Sequence, residues 1–367
     1  MAPTRRTDMN TQPAEVWILG ATGRIGRGVA ADLAVRGLAP VLVGRDAERL
    51  RKTAADLGLG SGTKVVAADG ADRIAAEITR QRPAVVVNTI GDYADTAARI
   101  ARACMPGGHY LDFANDLYAT PRLLDLHDEA AAAGSTLVTG AGFGVLATEA
   151  VVAKLCEGLP APDRVRIDAL PSVASEGGVM GAALAASVVD VLATGGRRYA
   201  NGRLAKARLG AEPQRLALPD GETARSAGGP SGELFAAQRV SGAPNVTATS
   251  VLVPAAPAVA AALSLLGKLL SVPALRRLAV RGMARISVKP APRPRQHSWG
   301  HAVAQWSDGT RREGWLRAGE AMDFTVSAAA ETAARLARGE GKPGAYTPAA
   351  ALGPELATAA GGTFILG

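Results

Sequence analysis

Cysteine is scarce in this chain: Cys104 and Cys156 are the two among 367 residues. Two cysteines cannot build a disulfide framework, and no C-x-x-C pair gathers sulfur ligands for zinc. So few in a chain this long suit a reducing compartment, and the expected location is cytoplasmic. Histidine is scarce too, at four. His297 and His301 alternate onto one side of an apolar strand, but no third ligand is identifiable, so a metal site is not expected. Aromatic residues make up only 4%. None interleaves with the densest basic run (Arg276, Arg277, Arg281, Arg285, Lys289, Arg293 and Arg295), which argues against base stacking and nucleic-acid binding despite a formal charge of +8. The opening residues, MAPTRRTDMNTQPAE, lack the apolar core of a signal peptide; residues 1–13 are expected to be a flexible N-terminus. One long segment, Val240–Gly267, lacks charge. Pro244, Pro254 and Pro257 interrupt it, so it reads as a buried strand plus helix rather than a membrane span. Membrane contact through a helix over 256–275 stays open as a weaker alternative.

Glycine is abundant, and its placement matters more than its number. In ILGATGRIGRG (residues 18–28), the apolar run Val16–Trp17–Ile18 leads into Gly20, Gly23 and Gly26. Strand, glycine turn and helix in that order form a clamp for a dinucleotide. The first glycine permits the turn, the second lets the backbone approach a pyrophosphate, and the third lets helix and strand pack closely. Gly20, Thr22, Gly23, Arg24, Ile25 and Gly26 are the expected clamp, with phosphate on the helix N-terminus.

The surrounding pattern supports the clamp. Apolar runs EVWILG, APVLVG, KVVAAD, AVVVNT, HYLDF and STLVTG alternate with helical stretches near 24–37, 46–58, 71–81, 94–105 and 120–133. Continuous apolar strands separated by helices predict a parallel sheet buried on both faces. The expected fold class is α/β, a Rossmann-type doubly wound parallel sheet with a second mixed α+β domain. Beyond residue 142 the rhythm changes. RVRIDAL (164–170) and NVTATSVLV (245–253) read as strands. Residues 178–194 and 256–285 (broken at Pro273) read as helices. The stretch to about 232 reads as hairpin and loop. Residues 299–318 form a hairpin around Ser307–Asp308–Gly309, and 321–338 a last helix. The expected division is 14–143 for the dinucleotide domain, 144–340 for a substrate and dimerisation domain, and 341–367 for a C-terminal return to the first.

Which dinucleotide binds depends on the end of the second strand, VGRD. Arg45 at its tip suits a ribose 2′-phosphate, with Arg24 as a second clamp, and favours NADP. Asp46 could instead face the ribose hydroxyl and make the site one for NAD, although helix capping is the better reading. Asp69, closing the third strand, is a candidate for the adenine amino group. Asn88, Thr89 and Gly91, at the end of the fourth strand, belong on the nicotinamide side.

The turn G-A-T-G-x-x-G also opens extended short-chain dehydrogenases, which need Tyr-x-x-x-Lys. Here Tyr118 and Tyr199 are followed at that distance by Arg122 and Arg203. Neither cysteine opens a helix as a nucleophile would, so both read as core thiols. Other segments resemble the saccharopine dehydrogenase-like NAD(P)-binding reductase family. VVVNTIGDY (85–93) is similar to its strand ending Asn-x-x-Gly-Pro-Tyr. ACMPGGHYLDF (103–113) resembles its Ala-Cys-x-x-x-Gly-x-x-Tyr-x-Asp. GFGVLATEA (142–150) resembles its Gly-Phe-Asp-x-x-Pro-Ser-Asp, and GKPGAYTPAAALG (341–353) its Gly-x-x-Thr-Pro-Ala-x-x-x-Gly. Asp92, Gly144 and Ala147 depart from the family's Pro, Asp and Pro. The resemblance implies an NADP-dependent oxidoreductase acting on a small-molecule substrate, in a family that includes imine-reducing and trans-acting enoyl-reducing members. It also implies a homodimer.

Ligands of such sheets bind beyond the C-terminal strand ends. Tyr93 and Asp112 are therefore the catalytic candidates, the first as a hydrogen-bond donor, the second as a partner for an ammonium or iminium. Tyr118 and Phe143 are candidate substrate-wall residues. His109 and Glu149 read as structural. The alternative function is a sensor or scaffold protein that binds NADP without turnover.

Overall fold

The computed structural model describes residues 14–367 apart from 176, 181, 254–261, 264, 265, 268 and 271. The expectation about residues 1–13 lies outside the described residues, as does much of the 256–275 segment. Among the described residues, no helix is long and apolar enough to cross a membrane.

The first half is a regular alternation: β1 (Glu15–Leu19), α1 (Arg24–Val35), β2 (Ala39–Gly44), α2 (Ala47–Asp56), β3 (Val65–Ala67), α3 (Gly70–Gln81), β4 (Val85–Asn88), α4 (Tyr93–Cys104), β5 (His109–Asp112), α5 (Ala119–Leu124), α6 (His127–Ala132) and β6 (Thr136–Val138). The helix expected over 120–133 is two short helices separated at Asp125 and Leu126. Trp17, Ile18, Val86, Val87 and Leu111 are buried completely, as expected of strands covered on both faces.

The second half contains α7 (Phe143–Cys156), β7 (Arg164–Leu170), β8 (Gly178–Val179), α8 (Ala182–Thr194), β9 (Gly196–Ala200), β10 (Arg203–Ala207), β11 (Ala211–Ala217), β12 (Thr223–Gly228), α9 (Glu233–Ser241), β13 (Asn245–Ser250), α10 (Pro273–Met283), β14 (Ser287–Val288), β15 (Ser298–Gln305), β16 (Arg311–Ala318), α11 (Ala321–Ala337), β17 (Gly344–Tyr346), α12 (Pro348–Leu352), α13 (Glu355–Ala359) and β18 (Thr363–Leu366). The stretch before 232 is more ordered than expected, with two hairpins, β9–β10 and β11–β12. The helix expected from 178 starts at 182, because Gly178 and Val179 pair with β14 instead.

Two sheets result. The first is parallel, in the order β17-β6-β5-β4-β1-β2-β3. The second has nine strands, with the main path β10-β9-β13-β7-β15-β16-β18 and the β11–β12 hairpin joined to β13. The C-terminal return is therefore divided: β17 extends the first sheet and β18 the second. Helix α11, placed by sequence order with the second domain, packs on α1. There a Cβ on Gly28 would lie 2.7 Å from Val326. Its buried alanines Ala329, Ala330 and Ala333 join the core beneath the first sheet, and those small side chains allow the close approach.

Helix α7 links the two halves. Phe143, Leu146, Ala147, Ala150, Val151, Val152 and Leu155 are all buried. A helix apolar all round must be covered all round, and α7 lies in one core with residues of the second sheet, α9 and α11–α13. Strand β15 crosses it at Gly300, where a Cβ would stand 2.7 Å from the Ala147 backbone. The N-terminus of α7 thus reaches the open end of the first sheet while its body supports the second.

Candidate functional site

The glycine turn has the geometry its spacing predicts. Gly20 sits at φ +75, a conformation that L side chains rarely adopt. Its N–H and that of Ala21 donate to the Val43 carbonyl, fixing the turn to β2. A Cβ on Gly26 would lie 2.5 Å from the Gly20 carbonyl oxygen. Gly23 is the N-cap of α1 and offers no side chain, so the first-turn N–H groups remain available for an anion. Thr22 and Ile25 are half-buried beside it. Thr89 closes the other flank, donating its hydroxyl to the Leu19 carbonyl at 2.7 Å. This uncapped cradle suits a pyrophosphate.

Arg45 is exposed at the end of β2. Asp46 caps α2: its carboxylate accepts from the N–H groups of Glu48 and Arg49 at 3.0 and 3.1 Å. Asp46 thus serves as the N-cap of α2 through Oδ1, and Arg45 beside it is the group suited to a 2′-phosphate. Arg24 stands 3.3 Å from Glu320, whose carboxylate also caps α11 by accepting from the N–H of Asp323 at 2.9 Å. Arg24 therefore bridges the turn to α11. Asp69 precedes α3, exposed and without a side-chain cap bond, within the C-terminal rim where an adenine would lie.

Behind the nicotinamide side is a buried polar chain. The Asn88 amide donates to the Tyr110 hydroxyl at 2.9 Å, which donates to Asp112 at 3.0 Å. Asp112 also accepts from Thr139 Oγ1 at 2.8 Å and from the N–H groups of Ala114 and Gly140 at 3.0 and 3.3 Å. Its carboxyl is fully buried, and burial pushes it up to about 6 against those donors. Asp112 thus takes four protein donors, three on Oδ1 and one on Oδ2, and its complete burial sets it back from a substrate ammonium. It braces the loops after β5 and β6. Tyr93 opens α4 and donates to the Asn88 carbonyl at 3.3 Å. Burial, then the Asp112 charge, raise its hydroxyl well above the ordinary range. It is an inward brace on the same chain.

The loop before α4 carries one family departure. Gly91 and Asp92 have φ of +80 and +49. Proline is locked near −65° and could not occupy position 92 in this conformation. Tyr118 is 53% exposed at the rim beyond β5. Phe143 is buried, edge-on to Phe324 with ring centroids 5.8 Å apart, and belongs to the core. His109 accepts from the Thr136 N–H at 3.0 Å and joins β5 to β6. Glu149 holds the C-terminal return: it accepts from the Thr347 hydroxyl and from the N–H groups of Ala349 and Ala350, at 2.9 and 3.1 Å for the latter two. Cys104 is buried, and burial pushes Cys156 up to about 11; neither has a nucleophile's environment.

One residue at the open end has no counterpart among the sequence candidates. Glu233, the first residue of α9, is 4% exposed. Its carboxylate accepts from the Asn115 amide at 3.1 Å and the Ser231 hydroxyl at 2.9 Å. A Cβ on Gly144 would lie 2.4 Å from Glu233 Oε1. The carboxylate thus fills the space left where the family pattern has an aspartate at 144. The sequence signal was slight, an acidic first-turn residue after Gly-Pro-Ser-Gly, which reads as a favourable helix-dipole interaction.

A cavity of about 320 Å³ lies elsewhere, on the second sheet between β7, β11, β15 and β16. Beside it Asp168 accepts from Arg166 at 2.8 Å and lies 2.8 Å from His301 Nδ1; His301 Nε2 lies 3.0 Å from Glu313. These charges satisfy one another, and the cavity is remote from the glycine turn.

Residues 16–138 match the family model of the saccharopine dehydrogenase NADP-binding domain. Among solved structures, apo histidine-tagged saccharopine dehydrogenase (L-Glu forming) from Saccharomyces cerevisiae is 12% identical. The match covers 96% of this chain and 100% of that one, with a TM-score of 0.61. Serine dehydrogenase from Escherichia coli is 16% identical over 34% of this chain and 80% of that one, at TM-score 0.29. A short-chain type dehydrogenase/reductase from Mycobacterium ulcerans is 17% identical over 35% and 67%, at 0.28. No curated protein sequence matches the chain.

Proposed function

Starting from a nucleotide domain that belongs to the saccharopine dehydrogenase NADP-binding family, in an NADP-binding oxidoreductase, we propose that this chain reduces an imine or an activated C=C bond of a small metabolite or acyl intermediate. When bound, NADPH supplies the hydride. The chain's own residues do the rest. The α1 N-terminus and Gly23 receive the pyrophosphate, and Arg45 the 2′-phosphate. The Asn88–Tyr110–Asp112 chain holds the loops that orient the nicotinamide. Tyr118 and the segment around Asn115 wall the substrate.

The observation that carries the reading is the uncapped turn at Gly23 opening toward a strand end that ends in Arg45. The match to the saccharopine dehydrogenase NADP-binding domain favours turnover over a sensor or scaffold role. The reading is tested by following NADPH oxidation with a panel of cyclic imines and enoyl thioesters, and NADP reduction with saccharopine. Consumption with one class supports it. Tight NADPH binding without consumption across the panel would favour the sensor.

A further inference from the structure

The carboxyl of Glu233, the first residue of α9, is buried between the Asn115 loop after β5 and the first turn of α7. Asn115 follows β5, Gly144 opens α7 after β6, and both lie beyond the C-terminal strand ends where a nicotinamide ring binds in this fold. The Glu233 N–H also donates to Asn115 Oδ1 at 3.2 Å, so amide and glutamate grip each other twice. The groups facing the carboxyl are the Asn115 amide, the Ser231 hydroxyl and the Gly144 backbone. Among the described residues no charged side chain pairs with it. A carboxylate needed only for structure is ordinarily matched by a cation or saturated with donors, as Asp112 is. Glu233 has one donor on each oxygen.

Resting on the reductase reading above, we infer that Glu233 is the group that gives the proton to the substrate as it accepts hydride. The step balances. The receiving carbon takes a hydride from NADPH, leaving NADP⁺. The π pair of the C=N or C=C bond moves to the other atom. That atom takes the carboxyl proton, and the Glu233 carboxylate is reprotonated from solvent. Burial raises this carboxyl above its ordinary range, so more of the acid form is held near neutrality.

The test needs no substrate. The oxidised nicotinamide is cationic and the reduced ring neutral, so an ionised Glu233 beside the ring favours NADP⁺. The ratio of NADP⁺ to NADPH affinity, measured by titration from acid to mildly alkaline pH, should rise about tenfold as Glu233 ionises, the scale of one charge pair separated by several ångströms. Glu233→Gln should remove the rise, leaving the NADP⁺ to NADPH affinity ratio constant across the titration. Ser231→Ala, which takes one donor from the carboxylate, should move the midpoint to higher pH and keeps the test open if the first variant does not fold. A rise unchanged in Glu233→Gln, or no rise in wild type, overturns the assignment while leaving the reductase reading intact. Failure of wild type to bind NADPH overturns the reading itself.

Discussion

Replacing Arg45 with alanine isolates the group assigned to the 2′-phosphate. Arg45 is exposed, has no hydrogen bond or salt bridge among the described residues, and lies at the end of β2, so little of the fold depends on it. Its contact with the phosphate therefore operates close to the dielectric of bulk water. There a unit charge pair at about 4 Å is worth about 1 kcal/mol. A phosphate monoester carries nearly two charges, which brings the expected loss to about 2 kcal/mol, or roughly 30-fold in Kd. NADH, which lacks that phosphate, should bind Arg45→Ala within about twofold of wild type. Arg45→Lys should fall between, because it keeps the charge and loses the planar fork. Fluorescence titration of both cofactors at two salt concentrations measures this, and the NADPH advantage should shrink with salt. Equal loss for both cofactors, or no loss for either, would refute the role given to Arg45.

Other perturbations test separate parts of the account. Gly26→Val forces a side chain against the Gly20 carbonyl; it should lower stability by about 1–3 kcal/mol and weaken both cofactors together in thermal-shift titrations. Glu149 is pushed up to about 7 by burial, above its ordinary 4.5. The folded protein then keeps a proton that the unfolded chain releases across that window, so stability falls as pH rises from about 4.5 to 7. Urea unfolding at pH 5 and 8 should show that fall, with a Glu149 share of up to roughly 3 kcal/mol at about 1.4 kcal/mol per pKa unit, and Glu149→Gln should flatten it. Asp168 is the opposite case: the His301 and Arg166 hydrogen bonds outweigh burial and hold its carboxyl well below the usual range. Its contribution is present at neutral pH and is lost as the solution is acidified through and below the ordinary value of 3.8. Asp168→Ala should cost about 3–5 kcal/mol by stranding its partners, with NADPH affinity unchanged.

The dinucleotide domain was legible because its signals are local. Each strand is a short apolar run, each helix begins near a glycine or a cap, and the glycine turn Gly20–Gly26 encodes its geometry in seven residues. The seventh strand was not legible as such: Gly344–Tyr346 is three residues long, it pairs with β6 more than 200 positions earlier, and the chain just after it is held by Glu149 through Thr347 and Ala349. Nor was the allegiance of α11, whose alanines suit either core until its contact with α1 is known. Tyr93 and Asp112 were placed at the correct strand ends, but the direction of their side chains follows from Asn88, Tyr110 and Thr139. Glu233 was missed because its environment is assembled from residues near 115, 144 and 231, and no single stretch of sequence contains it.

The central claim, hydride delivery from a cofactor clamped at Gly20–Gly26 and Arg45, is tested most directly with NADPH deuterated at nicotinamide C4. Incubation with the imine and enoyl panel followed by mass spectrometry should find deuterium on the former double-bond carbon of one substrate class. Saturating NADPH binding with no deuterium in any product would contradict it.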